Sequence, residues 1–314
     1  MLSIMPITSL LFQGGNLKNS KRHLCGFGFS GLKLVVLVLL ISVLSCTKII
    51  PPINDDEPHQ YVLNCFLSPD HPIEVFISRT IPVLAKTNYS WEDEWDIKLY
   101  ENDVLLPFVP EYADSSYLLY YSVQPGSHYR IEALNRNNNH LLTAEDVVPK
   151  RVSITELTEL YPLYTDRHDT TFGQLTLRFN DDGNVSNYYE IVVGHGYNQR
   201  FKTSHTYKIT HPVITHDSEY DLYPLTLLFT NELFRGEELV LDIAKDGYGG
   251  AIILKNVSYN YFMYKRYLYA HLENQNRKKD FAEISDPVML YSNVNNGLGI
   301  FASHCQDIKW VDGN

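Results

Sequence analysis

Tyr61-Val62-Leu63-Asn64-Cys65-Phe66-Leu67-Ser68-Pro69-Asp70-His71-Pro72-Ile73-Glu74-Val75-Phe76-Ile77-Ser78 is the stretch that decides the fold of this chain. Its second run, Ile73–Ser78, alternates apolar and polar residues with a period of two, which is typical of a half-buried β-strand. Asp70-His71-Pro72 separates the two apolar runs with residues that favour turns. The stretch therefore predicts two short β-strands joined by a turn, with no helix between them.

The same pattern continues to residue 149. The run 96–100 alternates in the same way, and 141–148 closes the series. The runs 118–123 and 129–134 flank the turn signal Gln124-Pro125-Gly126-Ser127, and together they predict a β-hairpin. Strands at this spacing without intervening helices predict an immunoglobulin-like β-sandwich over residues 61–149.

A second strand series follows Pro149-Lys150-Arg151, so a second β-sandwich is expected over residues 150–314. The segment at about 258–276 lacks Gly and Pro, and its apolar residues recur at helical spacing, which predicts one packed helix. Asn296-Gly297 predicts a strand, turn and strand over 288–301. The predicted fold class is therefore mostly β, with two immunoglobulin-like sandwiches and one helix in the C-terminal region. The predicted strands of the second series are 152–157, 172–179, 188–193, 225–229, 238–243 and 252–257.

The N-terminal segment has the pattern of an export signal. Basic residues precede an uncharged apolar run, Leu34–Leu44, which has about half the length needed to cross a bilayer. Ser45-Cys46 after that run resembles a bacterial lipobox, so residues 1–45 are predicted to be a lipoprotein signal peptide and Cys46 the lipidated residue. The alternative is an ordinary cleaved signal with a chance cysteine. Residues 46–60 carry three prolines and an acidic run, and they are predicted to form an extended tether.

Charge and cysteine content limit the function classes. The net charge of −11 and the pI near 5.5 argue against a nucleic-acid partner, because phosphate binding needs clustered Lys and Arg. Cys65 lies in a strand-like run, which favours a buried free thiol. A disulfide between Cys65 and Cys305 is the alternative, since an exported protein can form one.

The motifs that carry known catalytic chemistry are absent from the predicted mature sequence, so an enzyme is not expected and no cofactor is predicted. His205, His211 and His216 are weak candidate metal ligands, because their spacing matches no ligand signature and solvated loop histidines are common. Asp181-Asp182-Gly183-Asn184 faintly resembles a calcium loop, but a turn between strands is the better interpretation.

Trp91 and Trp95 flank the acidic run Glu92-Asp93-Glu94, and exposed tryptophans beside carboxylates are typical of sugar-binding surfaces. These two residues are the speculative ligand-binding candidates of the sequence. The alternative is that one Trp is buried and that the acidic residues are solvated.

Six parts of the sequence together carry a resemblance to a known family: Asn64–Pro69, Phe179–Asp181, Asn187–Tyr189, Asn231–Gly236, the tyrosine-rich helix and Tyr291–Phe301. They resemble the DUF4249 family, a set of envelope lipoproteins of unknown function from Bacteroidetes-type bacteria. The resemblance implies an outer-membrane lipoprotein often encoded near TonB-dependent receptors, with no established reaction or ligand. Asp55-Asp56-Glu57 resembles the surface-export signal of such lipoproteins but lies further from the cysteine, so a periplasmic and an extracellular position both stay open.

These observations favour non-catalytic binding or scaffolding at the cell envelope. The lipid places the protein on a membrane, and the family resemblance implies a TonB-dependent receptor as the protein partner. The first rival function is adhesion or surface assembly through a sandwich face or an edge strand. The second rival is a surface hydrolase, which no motif supports.

Overall fold

A computed structural model describes residues 59–81, 94–108, 110–113, 115–197, 200–203, 207–209, 211–217, 226–280 and 288–311. Across these ranges the chain is mostly β, as the sequence predicts. The elements of the first half are β1 Tyr61–Leu67, β2 Ile73–Arg79, β3 Trp95–Glu101, β4 Val104–Leu105, β5 Glu111–Ala113, β6 Ser116–Leu119, β7 His128–Asn135 and β8 Leu141–Val147. The elements of the second half are β9 Ile154–Thr165, β10 Thr171–Asn180, β11 Tyr188–Tyr197, β12 Arg200–Thr203, β13 Tyr207–Ile209, α1 Pro212–Asp217, β14 Thr226–Thr230, β15 Glu238–Asp246, β16 Gly250–Val257, α2 Tyr259–Asp280 and β17 Leu298–Val311.

Three sheets hold these strands. The largest has nine strands in the order β12-β11-β16-β17-β1-β2-β6-β5, with β14 pairing β11 beside β12. The other two are β13-β15-β10-β9 and β4-β3-β7-β8. The decisive stretch forms β1 and β2 as an antiparallel pair, in which Leu63, Cys65 and Val75 are buried by their alternation.

The last strand joins the two halves of the chain. The first part of β17 pairs in parallel with β1, and its second part pairs antiparallel with β16. Gly299 makes this pairing possible, because its φ is +112° and a Cβ there would lie 2.0 Å from the Leu63 carbonyl oxygen. One strand therefore belongs to both halves, and the division into sandwiches at 61–149 and 150–314 stays a prediction.

Two main cores lie between the sheets. The first is formed by β1, β2, β3, β6, β7 and β8, and Phe301 and Cys305 of β17 complete it. The second is formed by β9, β10 and β15 against β11, β14 and β16. A third, smaller cluster packs Tyr261 and Phe262 of α2 against Ile300 of β17.

The predicted helix is confirmed, and it extends to Asp280. Ser258 caps its start, since the Ser258 hydroxyl accepts a hydrogen bond from the Tyr261 backbone amide at 3.2 Å. No helix in the described ranges is long and apolar enough to span a membrane.

Two predicted hairpins are wrong. Residues 118–134 do contain the turn at 124–127, where the Ser127 amide donates to the Gln124 carbonyl. However, β6 pairs with β2 and β5, whereas β7 pairs with β3 and β8. The turn therefore carries the chain from one sheet to another, because each strand finds its ladder partners elsewhere.

The second wrong hairpin is 288–301, in which only β17 is a strand. The Asn293 side chain takes the place of the missing ladder, donating to the Phe301 carbonyl at 2.8 Å and accepting from the Phe301 amide at 2.9 Å. An asparagine amide presents the same donor and acceptor as a peptide group, so a side chain closes this turn.

Cys65 and Cys305 are both buried free thiols, as the strand context of Cys65 indicates. Burial raises the pKa of Cys305 to about 11, so its thiol stays protonated at neutral pH. The predicted signal peptide, Cys46 and the predicted tether up to residue 58 lie outside the described residues.

Candidate functional site

Three runs that carry the family resemblance meet at one buried carboxylate. Asp181 Oδ1 accepts hydrogen bonds from the Tyr189 hydroxyl at 2.6 Å and from the Asn187 amide at 2.8 Å. Asp181 Oδ2 accepts from Asn231 Nδ2 at 2.9 Å and from the backbone amides of Gly183 and Gly236. We call this arrangement the Asp181 knot; it ties the turn after β10 to β11 and to the turn after β14.

The Asp181 knot is built to hold a negative charge without a counterion. Burial pushes the pKa of Asp181 up, but the hydrogen bonds from Tyr189, Gly236, Asn187 and Asn231 outweigh it and hold the pKa below its ordinary value. Both carboxylate oxygens are occupied by protein donors, which agrees with the interpretation of 181–184 as a turn. The hydrogen bonds of the Asp181 knot therefore hold three segments of the chain together.

The asparagines of the run 291–301 cap the outer edge of β8. Asn295 exchanges backbone hydrogen bonds with Thr143, while Asn296 Nδ2 donates to the Leu141 carbonyl at 3.1 Å. Asn293 Nδ2 also lies 3.2 Å from the Glu145 carbonyl, and Asn260 of α2 donates to the same oxygen. An open sheet edge exposes unpaired backbone groups, and here side chains from the C-terminal part of the chain satisfy them.

A groove runs along the junction between these features, and we call it the seam groove. It is lined by residues 145–152, 182, 184–188 and 256–260, together with Gly126 and His128, and its volume is about 620 Å³. That volume lies within the range of about 300–1,000 Å³ that small-molecule sites occupy. Its lining includes Val147, Val185 and Val257 between polar side chains, which is the mixture such sites use.

Four buried polar residues line the seam groove: Asp146, Asn187, Asn256 and Ser258. Asn256 on β16 is only 3% exposed; its Nδ2 donates to the Lys150 carbonyl at 3.0 Å, while its Oδ1 has no hydrogen-bond partner among the described residues. Asp146 on β8 is also buried, and it accepts hydrogen bonds from Ser303 Oγ and Asn260 Nδ2 at 2.5 and 2.9 Å. Burial raises the pKa of Asp146 to about 6, against the opposing effect of the hydrogen bonds from Ser303, Ser258 and Asn260.

The cations beside the seam groove have acidic partners. Lys150 Nζ lies 3.3 Å from Asp182 Oδ2, and both residues line the groove. Arg151 pairs with Asp70 at 2.6 Å, which ties the chain between β8 and β9 to the turn between β1 and β2. These pairs leave the groove with little net positive charge to offer an anionic ligand.

The helix beside the groove is held by a buried ionic cluster. Glu190 on β11 is fully buried; Lys255 Nζ lies 2.7 Å from its Oε2 and Lys265 Nζ lies 3.8 Å from its Oε1. The hydroxyls of Tyr261 and Tyr269 donate to the same carboxylate at 2.6 and 3.3 Å. We call these five residues the Glu190 cluster; it fixes α2 on the sheet.

Charge balance in the Glu190 cluster favours the ionised carboxylate. Burial alone would raise the pKa of Glu190, but the two lysines and the Tyr261 hydroxyl lower it to about 2. The neighbouring His304 is buried, and burial together with the Lys255 charge lowers its pKa to about 4. His304 is therefore neutral at pH 7, and its Nδ1 has no hydrogen-bond partner in the part of the chain that the structure describes.

Among the sequence candidates that the structure describes, Trp95 and His211 do not line the seam groove, whereas Asp182 and Asn184 of the run 181–184 do. Trp95 is 6% exposed and packs edge-on against Tyr61, with ring centroids 4.9 Å apart, in the first core. The prediction that Trp95 is an exposed sugar-binding residue is therefore wrong, because its position on β3 directs the side chain into the core. Trp91 lies outside the described residues.

The histidine candidates are described only in part. His211 Nδ1 accepts a hydrogen bond from the Val213 amide at the start of α1. His205 and the side chain of His216 lie outside what the structure describes. Where side chains are described, no group of three or more His, Cys, Asp or Glu residues could hold a metal ion.

A second cavity, of about 530 Å³, lies beside β1 and is lined by His59, His140 and Gly297 among others. His59 Nδ1 lies 2.7 Å from the Thr80 carbonyl oxygen, and His140 Nε2 lies 2.6 Å from that of Asn296. Its imidazoles are thus engaged with the backbone, so the seam groove is the better candidate for a ligand.

The comparisons with known proteins give a family without an activity. A family model described as "Domain of unknown function (DUF4249)" matches residues 47–308. A search of curated proteins finds no match. Among solved structures, the chain is similar to the β-glucuronidase of Parabacteroides merdae, crystallised with glycerol in its active site. That similarity has 9% identity and a TM-score of 0.19, and it covers 64% of this chain and 23% of the enzyme. The chain spans less than a quarter of that enzyme, and so low a score supports neither a shared fold nor a shared activity.

Proposed function

The chain belongs to the DUF4249 family, and from that premise we propose that it is an outer-membrane lipoprotein that binds a small ligand in the seam groove without transforming it. The observation that carries the binding proposal is the groove itself, about 620 Å³ in volume, where Val147, Val185 and Val257 lie between polar side chains. A concave surface of this size and mixed polarity is typical of sites that bind small molecules.

The anchor supports a role at the envelope. Cleavage before Cys46 and acylation of its thiol and amine would attach two or more acyl chains, and each buried CH₂ contributes about 0.8 kcal/mol to membrane binding. The predicted tether would then hold the folded body away from the bilayer. We propose that the protein acts as an accessory to a TonB-dependent receptor, and the support for this link is the family resemblance alone.

Fractionation tests the anchor. We expect the wild-type protein to sediment with outer membranes and Cys46→Ala to appear in the soluble fraction, with equal amounts of folded protein. A Cys65→Ala variant is the matched control, because Cys65 is a buried free thiol and cannot carry the anchor. Retention of Cys46→Ala in the membrane would refute the lipid anchor.

Affinity purification tests the partner. Detergent-solubilised envelopes carrying the tagged wild-type protein should yield a receptor barrel in stoichiometric amount. Its absence after mild cross-linking would refute the role as a transporter accessory.

One observation favours adhesion or surface assembly as a second function. Strand β9 is an edge strand, and its outer half exposes Leu160, Leu163 and Tyr164. An exposed apolar edge strand is a surface on which a protein partner can dock. Recovery of an envelope protein other than a receptor barrel, lost on Leu160→Lys substitution, would support this second function.

A further inference from the structure

We infer that the side chains of Lys245 and Glu159 become joined by an intramolecular amide bond, which makes this pair a site of covalent self-modification. The inference goes beyond the proposed function, because it concerns the interior beside the second core and not the seam groove. Three observations carry it: the burial of the pair, the approach of the two side chains across a glycine, and the hydrogen bonds that each side chain makes.

The pair lies in the interior, where separated charges are costly. The side chain of Lys245 on β15 is fully buried, and that of Glu159 on β9 is 4% exposed. Lys245 Nζ lies 3.9 Å from Glu159 Oε1, which is too far for a hydrogen bond, and Oε1 has no hydrogen-bond partner among the described residues. Two buried charges without a direct hydrogen bond are poorly compensated, and an amide bond would remove both charges from the interior.

The order of the strands explains how these side chains meet. Strand β10 lies between β9 and β15, and its Gly173 is opposite Lys245 in the register. Because Gly173 has no side chain, Lys245 can extend over the middle strand toward β9. A Cβ at position 173 would lie 3.4 Å from Glu159 Oε1, and a Cβ at Gly250 would lie 2.8 Å from Lys245 Cε. Both glycines therefore leave space that the two side chains occupy.

The hydrogen bonds of the Lys245 amine fit a neutral nucleophile. Nζ donates to the carbonyl oxygens of Asp246 and Gly247 at 3.1 and 3.0 Å, and two donors are all that a neutral amine has. Burial lowers the pKa of Lys245, against the opposing effect of the Glu159 charge. An uncharged lysine amine carries a free electron pair, which makes it a nucleophile toward a carbonyl carbon.

The carboxyl group of Glu159 is the matching electrophile. The Gly249 backbone amide donates to Oε2 at 3.1 Å, where it would stabilise the negative charge that develops as Nζ attacks Cδ. In the uncharged form of the pair, Oε1 carries the acidic proton. The Nζ–Cδ bond forms and the Cδ–Oε1 bond breaks, and Oε1 leaves as water with its own proton and one from the amine. The products are a neutral amide and one water molecule, so the step needs no oxidant, reductant or cofactor.

The bond would stabilise the sheet β13-β15-β10-β9. It would close residues 159–245 into one covalent loop across β10, and such a loop restricts the unfolded chain as a disulfide does. Cys65 and Cys305 are free thiols, so these two cysteines do not supply a covalent link of this kind.

Tryptic peptide mapping of the wild-type protein, purified in its folded state and then denatured, tests the inference. Trypsin cleaves after Arg and Lys, so an unlinked chain releases residues 152–167 and 236–245 as separate peptides. The linked chain should instead give residues 152–167 joined to 236–255, since trypsin does not cleave after an acylated lysine. The mass should equal the sum of the two peptides less one water molecule, and fragment spectra should place the bond between Glu159 and Lys245.

Two variants and an internal control identify the reacting pair. Glu159→Ala and Lys245→Met each remove one partner, and both should release residues 152–167 as a linear peptide. Glu156→Ala is the matched control, because Glu156 is an exposed carboxylate on the same strand, and the joined peptide should persist in it. Lys255 and Glu190 lie closer together, at 2.7 Å, but should stay unlinked, because the Glu190 carboxylate is ionised and already hydrogen-bonded.

The wild-type digest decides the inference even if a variant does not fold, because it depends on no substitution. Recovery of residues 152–167 and 236–245 as separate linear peptides from the wild type overturns the inference. A joined peptide that persists in a folded Glu159→Ala protein, or a link between Lys255 and Glu190, overturns the chemistry assigned to this pair. Neither result affects the seam groove, so failure here is distinct from failure of the proposed function.

Discussion

Replacing the buried Glu190 by Gln should destabilise the protein by about 3–5 kcal/mol at pH 7, because it leaves two lysines beside a neutral group. A second route gives a similar magnitude. The pKa falls from the ordinary value of 4.5 to about 2, and at about 1.4 kcal/mol for each tenfold change in proton affinity this corresponds to about 3 kcal/mol.

The pH dependence carries a definite sign. A lowered carboxylate pKa stabilises the folded state above the unfolded value of 4.5, and that stabilisation is lost as the pH falls toward about 2. Urea unfolding of the wild type and of Glu190→Gln should therefore differ most at pH 7, and the difference should shrink between pH 4.5 and pH 2. Lys265→Met, which removes the more distant cation, should cost less than Glu190→Gln.

Glu237→Gln is the matched control, because Glu237 is an exposed carboxylate on the same half of the chain. Its stability should follow the wild type at every pH. A loss below about 1 kcal/mol for Glu190→Gln, against the magnitude expected for a broken buried pair, or a difference that does not change with pH, would refute the account of the Glu190 cluster.

Three further predictions concern the junction. Gly299→Ala should prevent folding or lower the free energy of unfolding by more than about 4 kcal/mol, because its Cβ would lie 2.0 Å from the Leu63 carbonyl oxygen. Gly126→Ala is the control: its φ is +87° and the space around it is open, so it should cost about 1–2 kcal/mol. Equal melting temperatures of the two variants would contradict this prediction. Asp181→Asn should lose about 3–5 kcal/mol of unfolding free energy in urea, because an NH₂ group would face donors that now bond to a carboxylate oxygen. The neighbouring Asp182→Asn should leave the urea midpoint nearly unchanged. A similar loss in both variants would contradict the stabilising role of the Asp181 knot. The pKa of Asp146 is raised from 3.8 to about 6, so the folded state binds a proton on this carboxylate more tightly than the unfolded state does. The unfolding free energy of the wild type should therefore rise by up to about 3 kcal/mol relative to that of Asp146→Asn as the pH falls from 7 to 4. A wild-type advantage that grows with rising pH would contradict this prediction.

The sequence predicts the strands where local alternation is strong. In β1, β2, β10 and β15, apolar residues point to a core at every second position, and the structure places them there. The helix is predictable for the same reason, since its spacing and its Ser258 cap are local features.

Long-range pairing is what local pattern does not contain. The parallel partner of β1 comes from residues 298–303, at the opposite end of the described chain. Two neighbouring runs that look like a hairpin at 118–134 instead find partners in different sheets. The period of two predicts that a strand forms, but the strand with which it pairs depends on the packing of the whole molecule.

The seam groove could not be predicted because its lining comes from four separate segments of the chain. The clustered asparagines of 291–301, which are unusual beside strands, are a signal for the capped edge of β8 instead. Their hydrogen bonds to Leu141, Thr143 and Glu145 show that side chains can cap a sheet edge. Trp95 shows where the local sequence misleads. An aromatic residue next to acidic residues looks exposed, and only the register of β3 shows that it faces the core.

The most direct test of the central claim, that the seam groove is the binding site, is the position of a bound small molecule. Backbone-amide NMR of the Cys46→Ala protein, screened against a library of small-molecule fragments, reports that position residue by residue. We expect the largest shifts at Val185, Asn256 and Tyr259, which all line the groove. Shifts confined to the outer half of β9 or to the cavity beside His140 would contradict the account.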